Sequence, residues 1–553
     1  MGSTAVRTSE GVVPWPTEVA ALYRELGYWD GVSLGDRFAE SAVQAPDSVA
    51  VVDGEVRLTY AELAERVDAA AVRLLRLGLR PDDRLLVQLP GCWEFVALTL
   101  ACFRAGIVPV MAMVSHREHE LTHMAEIAQA VAVVVPAEFK GFDHRGLART
   151  LAEKVPSLET VLVLGPQEPG DVSLAELLGR DGEEEPTGQA LPRVDAPGVA
   201  VLLLSGGTTG LPKLIPRAHD DYSYCARRIA EVAGIDSRSV YLVTLPPGHN
   251  FPLTGILGAL FAGGRVVMLP SPEPVKAFAA IERHGVTHAA IVPAVARRWL
   301  DHQDEQQTDQ LRTLAVLQVG GSRLPDELAR RVRPVTGAIL QQEFGMAEGL
   351  VCMTRLDDPE EIICTTQGRP ISESDEMLIV DEYGLPVPNG TPGGLLTRGP
   401  YTLRGYFRAP EHNTRAFTED GWYASGDVVM RRADGNVVVL GRDKDLINRG
   451  GEKISAEEVE SLAYRIDVVE MAAAVSMPDP VLGERLCLYV TLRPGASLSL
   501  EDVRTSMSAA GIADYKLPER LELLDRLPLT KVGKIDKKSL REAIAAATNG
   551  GTR

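Results

Sequence analysis

Residues 204–213 read Leu-Ser-Gly-Gly-Thr-Thr-Gly-Leu-Pro-Lys. The glycines let a backbone approach an anion closely, Ser205, Thr208 and Thr209 offer hydroxyl donors, and Lys213 adds a cation. These are the parts of a phosphate cradle, although the Gly-Lys-Ser/Thr ending of a Walker A loop is missing. Further along, Glu348 in Phe-Gly-Met-Ala-Glu-Gly (344–349) is a hard oxygen donor suited to Mg²⁺. Asp427 in Ser-Gly-Asp can accept from neighbouring hydroxyls, and Lys534 ends Pro-Leu-Thr-Lys-Val-Gly-Lys (528–534). His249 and Asn250 stand together in Gly-His-Asn-Phe-Pro-Leu (248–253). Taken singly, each string also suits a tight turn, an Asx turn, a packed histidine or a solvated basic run.

The elements that must carry these residues alternate buried apolar runs with amphipathic stretches. Residues 50–79 predict a hairpin followed by a helix capped at Thr59. The runs RLLVQLP, AVAVVVPAE, VYLVTLPP, GRVVMLPS, THAAIVPA and LAVLQVGG predict strands separated by helices, hence parallel-rich sheets with helices on their faces. Residues 165–198, rich in Pro, Gly and acids, read as a surface excursion. Beyond Asp434 the texture changes to a compact α+β stretch. The expected organisation is α/β, with a large N-terminal domain over 1–443 and a small α+β domain over 444–553.

A net charge of −19 excludes a nucleic-acid partner, which needs a basic footprint. The cysteines at 92, 102, 225, 352, 364 and 487 form no metal-ligand spacing and suit reduced thiols. No apolar run approaches the ~20 residues of a membrane span. The chain is expected in the cytoplasm.

In chain order, the strings 204–213, 344–349, 425–427 and 528–534, with Gly441-Arg-Asp-Lys-Asp445 and Asn448-Arg-Gly-Gly-Glu-Lys453 between the last two of these, resemble the adenylate-forming superfamily. That superfamily includes acyl-CoA synthetases, peptide-synthetase adenylation domains and luciferases. The resemblance spans essentially the whole chain and implies ATP and Mg²⁺. It assigns Ser205, Gly206, Gly207, Thr208, Thr209, Gly210 and Lys213 to the phosphates, and Gly320, Gly321, Phe344, Gly345 and Met346 to the adenine side. Asp427 would hold the ribose, Arg442 the ribose or a phosphate, Glu348 the metal, and Lys534 would bridge carboxylate and α-phosphate as the catalytic lysine. Lys444 would be the hinge of a mobile small domain, with Gly450 and Gly451 lining the thiol's approach.

Within the superfamily, the His249-Asn250 string resembles the aryl-acid ligases that begin aryl-capped siderophores and related antibiotics. Pro14-Trp-Pro, the stretch 22–29 (LYRELGYW), the stretch 355–361 (RLDDPEE) and Arg398-Gly-Pro-Tyr-Thr402 resemble them too. This implies that Asn250 bonds an ortho hydroxyl and the carboxylate. His249 would border the thiol channel as a second catalytic residue, and Phe251, Gly321, Gly345 and Val351 would line the acid pocket. After Leu253 the chain passes directly to Thr254-Gly255-Ile256, without the family's Ser-Pro-Gly or Cys-Pro-Gly step. The serine that meets a 3-hydroxyl has no counterpart, so salicylate is favoured over 2,3-dihydroxybenzoate. Hydroxypicolinate and anthranilate stay open. With no fused carrier segment after Lys538, the expected acceptor is an aryl carrier protein in trans, and free coenzyme A is the alternative. A luciferase-like oxygenase or a non-catalytic binder fits less well, given the His-Asn string and the intact Lys534, Glu348 and Asp427.

Overall fold

The computed structural model describes residues 10–179, 190–205, 212–321, 323–324, 326–381, 383–442, 446–528 and 535–549. The chain divides into two compact units. The larger comprises Met1–Val114, Met124–Leu204 and Leu214–Gly441, and the smaller Ser115–His123, Ser205–Lys213 and Arg442–Arg553. The expected hinge, Lys444, lies outside the described residues.

In the larger unit the predicted hairpin forms, with strands Val49–Asp53 and Val56–Thr59 antiparallel. The following helix, Tyr60–Arg76, opens with a capping box between Thr59 and Glu62. The hairpin joins a nine-stranded sheet. Its strands Val49–Asp53, Arg265–Met268, Val240–Val243, His288–Ile291, Val316–Val319 and Ile339–Met346 run parallel in that spatial order. Antiparallel strands Gly349–Met353 and Arg369–Pro370 extend the far edge. A seven-stranded sheet, parallel except where Val199–Leu204 meets Leu214–Ala218, forms a second layer. A four-stranded antiparallel sheet ends with Val437–Arg442. The parallel strands are largely buried along their length, so most of their residues are apolar rather than alternating with polar ones, Gln318, Gln341, Gln342 and Glu343 being exceptions.

The excursion expected over 165–198 is only partly one. Val172–Ser173 joins the seven-stranded sheet, and the helix Leu174–Leu178 buries Leu174, Leu177 and Leu178. Elements this short carry no readable periodicity. Elsewhere the N-terminal arm docks as an aromatic cluster. Trp15, Tyr23 and Trp29 meet edge-on with centroids 5.0–5.8 Å apart, and Trp29 Nε1 donates to Pro400 O at 3.0 Å. The described cysteines are free, and all but Cys92 are buried. No described helix is long and apolar enough to cross a membrane.

The smaller unit is a five-stranded sheet with helices Ala456–Ala463, Leu500–Ala509 and Lys537–Asn549. Lys516, buried, sits 3.0 Å from both Glu458 carboxylate oxygens and 3.1 Å from Glu120 Oε1. Burial opposes ionisation of both acids. At Glu120 the Lys516 charge outweighs it and the carboxyl falls below its usual range, whereas at Glu458 burial prevails.

Candidate active site

The larger unit places His249, Asn250, Phe251, Gly320, Gly321 and the 344–346 motif around the C-terminal ends of its parallel strands, where open α/β sheets bind ligands. Gly320 and Gly321 end the strand Val316–Val319. Gly321 has φ +85°, a left-handed conformation that favours glycine. A Cβ at Gly320 would stand 3.1 Å from the Phe251 ring and 3.4 Å from Glu343 Cβ, so the expected acid-pocket residue Phe251 packs against the double glycine.

Asn250 begins the helix Asn250–Phe261, with His249 at its N-cap and no side chain capping it. An uncapped helix N-terminus leaves donors facing an anion. The Asn250 Oδ1 accepts from the Tyr222 hydroxyl at 3.0 Å, which turns its Nδ2 donors to other partners. Tyr222 is fully buried, with the Arg217 guanidinium 4.8 Å above its ring centroid. Arg217, itself fully buried, donates to Asp221 at 2.8 Å and to Ala347 O at 3.0 Å. One cation thus braces both the Asn250 support and the 344–349 motif. Burial pushes Asp221 up to about 6, with Arg217 pulling the other way. Thr254 turns its hydroxyl back on its own helix, donating to Asn250 O (3.0 Å) and Phe251 O (3.1 Å), so that proton is not offered to an acid's ring.

The motif 344–349 lies on Ile339–Met346 and its antiparallel neighbour. Gly345 pairs with Val351, whose γ carbon fills the space a Gly345 side chain would need, 3.3 Å away. Phe344 is half-buried and Met346 buried. Glu348 is 9% exposed; its Oε1 accepts from Tyr406 Oη at 2.9 Å, and Tyr423 backs Tyr406 at 2.9 Å. This leaves a carboxylate oxygen for Mg²⁺, which needs only one or two carboxylates beside phosphate oxygens. Among the described residues no cluster of His, Cys, Asp and Glu forms a fuller cage. Asp427, buried on Tyr423–Arg431, donates its backbone N–H to Ser425 Oγ at 3.1 Å, while Ser425 donates to Leu395 O.

In the smaller unit, Ser205 and Lys213 close the neck of the glycine loop. Ser205 N donates to Lys213 O at 2.9 Å and Lys213 N to Ser205 Oγ at 3.2 Å. Gly206, Gly207, Thr208, Thr209 and Gly210 lie outside the described residues, as does Lys534. Arg442 is described only as the end of its strand. Gly450 (φ +60°) and Gly451 (φ +97°) join strands paired at Arg449↔Glu452. A two-residue turn with both φ positive demands glycine by itself.

Sequence reasoning missed Tyr222, Arg217, Tyr406 and Glu343. For Glu343 a signal existed: an acid at the end of a buried strand, immediately before the Phe344 motif.

Residues 38–407 match the family described as AMP-binding enzyme, and residues 458–534 its C-terminal domain. A Streptomyces salicylyl-CoA synthase / salicylate adenylyltransferase is 56% identical, covering 97% of this chain and 98% of its own. A 2-hydroxy-7-methoxy-5-methyl-1-naphthoate–CoA ligase of Streptomyces carzinostaticus is 52% identical, over 98% of each chain. The solved apo structure of Mycobacterium smegmatis MbtA superposes with TM-score 0.74 at 44% identity, covering 96% of this chain and 98% of that one. The chain therefore belongs to the AMP-binding enzyme family, among its adenylate-forming aryl acid–AMP ligases.

Proposed function

We propose that the protein activates an ortho-hydroxy aryl acid, of the salicylate type, with ATP and Mg²⁺. The acyl group then passes to a phosphopantetheine thiol at the start of an aryl-capped siderophore or antibiotic. The observation that carries this reading is Asn250, held by Tyr222 at a helix N-terminus whose next residue, Phe251, packs against Gly320.

In the first step a carboxylate oxygen bonds to the α-phosphorus, the bond to the bridging oxygen breaks, and pyrophosphate leaves. Negative charge grows while the reactants already repel, so positioning and cations dominate. Lys213 with the loop 205–210 faces the phosphates, Asp427 and Arg442 the ribose, and Gly321, Phe344, Gly345 and Met346 the adenine. Lys534 bridges carboxylate and α-phosphate. The Asn250 Nδ2 donors meet the ortho hydroxyl and carboxylate, with Phe251 and Val351 against the ring. Glu348 would hold Mg²⁺, which when bound would offset phosphate charge. In the second step a thiol sulfur bonds to the acyl carbon and AMP departs. His249 and the Gly450-Gly451 turn border the thiol's approach, and Lys444 is the hinge between the half-reactions.

The thiol is assigned to an aryl carrier protein in trans, following the aryl-ligase signatures. The names of both relatives favour a second reading, free coenzyme A, which presents the same phosphopantetheine arm. ATP–pyrophosphate exchange over a panel of aryl and aliphatic acids tests the first step. Exchange supported only by acids lacking an ortho hydroxyl overturns the reading. Thioester formation with coenzyme A against a phosphopantetheinylated carrier decides the acceptor.

A further inference from the structure

The polar groups on one face of the large sheet are matched in turn until its C-terminal edge. Gln318 and Gln341 face each other in register, and Gln318 Nε2 donates to Gln341 Oε1 at 3.2 Å. Gln341 Nε2 donates onward to Val232 O (3.1 Å) and Thr354 O (2.9 Å). Two residues further along each strand, on the same face, come Gly320 and Glu343. Glu343 is 7% exposed, yet among the described residues its Oε2 meets no hydrogen-bond partner. Its Cβ is 3.4 Å from where a Gly320 side chain would begin, and the Phe251 ring lies 3.1 Å from the same point. Tyr241 completes the surroundings. Its hydroxyl occupies the space left by the absent side chain of Gly255, and its titration is affected by Glu343.

A buried carboxyl without a partner costs about 1–3 kcal/mol or more. Among the described residues nothing recovers that cost for Glu343 Oε2. Phe251, whose ring packs beside Glu343 Cβ at the Gly320 position, and Asn250 are residues assigned to the aryl acid, so the missing partner is most simply supplied by that acid.

We propose that Glu343 is a specificity-determining residue that hydrogen-bonds a second polar ring substituent, a hydroxyl or amino group distinct from the ortho hydroxyl met by Asn250. The inference rests on the aryl-acid reading and refines it: the preferred substrate is a hydroxy- or amino-substituted salicylate rather than salicylate itself. Burial holds the carboxyl up to about 8, so at neutral pH it carries a proton and can both donate to and accept from such a substituent. Because Thr254 spends its hydroxyl proton on its own helix, Glu343 takes over the recognition for which the shortened loop has no side chain.

The test compares wild type with Glu343→Leu and Glu343→Gln by pyrophosphate exchange, using benzoate, salicylate, and salicylates bearing one further hydroxyl or amino group at each ring position. Wild type is expected to prefer one substituted salicylate over salicylate by roughly 10- to 100-fold in kcat/KM. Glu343→Leu should invert that order by raising salicylate and lowering the substituted acid, while Glu343→Gln, which keeps a donor and an acceptor, retains much of it. A substituted-to-salicylate ratio that is the same in wild type and Glu343→Leu overturns the proposal. So does a wild type that uses salicylate at least as well as every substituted acid. Exchange with no aryl acid at all instead overturns the aryl-acid reading beneath it. Thermal melts confirm that each variant is folded, and because selectivity is a ratio within one enzyme, partial loss of active protein cancels.

Discussion

The Tyr222–Asn250 hydrogen bond gives the ortho-hydroxyl reading its sharpest test. The Tyr222 hydroxyl donates to Asn250 Oδ1 at 3.0 Å, so the amide is oriented with Nδ2 directed elsewhere. Tyr222→Phe removes one oxygen and leaves the buried ring, with Arg217 stacked 4.8 Å above it, in place. The lost interaction is about 0.5–1.5 kcal/mol. If it serves to aim the amide at an ortho hydroxyl, the salicylate-to-benzoate ratio in kcat/KM should fall by roughly 2- to 13-fold. Asn250→Ala removes the donor itself and should narrow the ratio further, by roughly 10- to 100-fold, because no amide remains unpaired when benzoate binds. Asn250 is only half-buried, so water partly satisfies the unpaired amide and the lower end of that range is expected. The two changes should not add. In the Asn250→Ala background Tyr222→Phe has nothing left to orient, and the ratio should stay where Asn250→Ala put it. The measurement is pyrophosphate exchange with both acids in all four enzymes. A Tyr222→Phe effect of equal size on both acids, or one that persists without Asn250, would refute the positioning argument.

Other outcomes follow from the same geometry and assignments. Lys534→Ala should lower pyrophosphate exchange by roughly 10²- to 10³-fold with no change in melting temperature, since its ammonium acts in the transition state; exchange near the wild-type rate removes it from catalysis. Lys516→Met should destabilise the smaller unit by about 3–5 kcal/mol in chemical denaturation, because it leaves Glu120 and Glu458 buried without their cation; a loss below 1 kcal/mol, the range of an exposed pair, would contradict that burial. Glu343 has a folded pKa of about 8 against an ordinary 4.5, so its neutral form is the one the fold accepts. The raised value means that wild type should lose stability relative to Glu343→Gln as pH rises from 4.5 to about 8, with the Tyr241 phenol the neighbouring group that senses the charge. Melting curves of the two proteins that run parallel across that window would show that the fold does not raise the Glu343 pKa.

What the sequence disclosed depended on how local the cause was. The capping box at Thr59 needs only residues within one turn, and it formed where the sequence placed it. Most of the parallel strands announced themselves as short, predominantly apolar runs because they are buried on both faces. The strings at 22–29 and 398–402 were linked by resemblance alone, and the structure supplies the physical link in the Trp29–Pro400 hydrogen bond. Arg217, Tyr222 and Tyr406 were illegible for the opposite reason. Each is a polar residue whose role is fixed by a partner far away in the chain: Ala347 for Arg217, Asn250 for Tyr222, Glu348 for Tyr406. Nothing in their immediate neighbours distinguishes such a residue from one at the surface.

Glu343 shows why polar accounting finds what motif reading passes over. Motifs record residues that touch the nucleotide, which many acids share, whereas the residue that discriminates among acids need not recur in any string. Its mark is energetic: a group that folding alone should not bury. Along this sheet face Gln318 and Gln341 demonstrate the ordinary solution, each amide closed onto a partner within the fold. One step nearer the strand ends the same register delivers a carboxyl beside a glycine and an aromatic ring, with no such closure. A sequence selected for stability alone would place an apolar side chain there, and a local violation of that kind without compensation in the fold is where function is expected to lie. After Leu253 the chain runs into Thr254-Gly255-Ile256, without the serine expected from the resemblance to aryl-acid ligases. On the proposed role Glu343 supplies a polar contact to the ring, so the substrate suggested by the loop alone, an acid bare beyond its ortho hydroxyl, is the one its carboxyl disfavours.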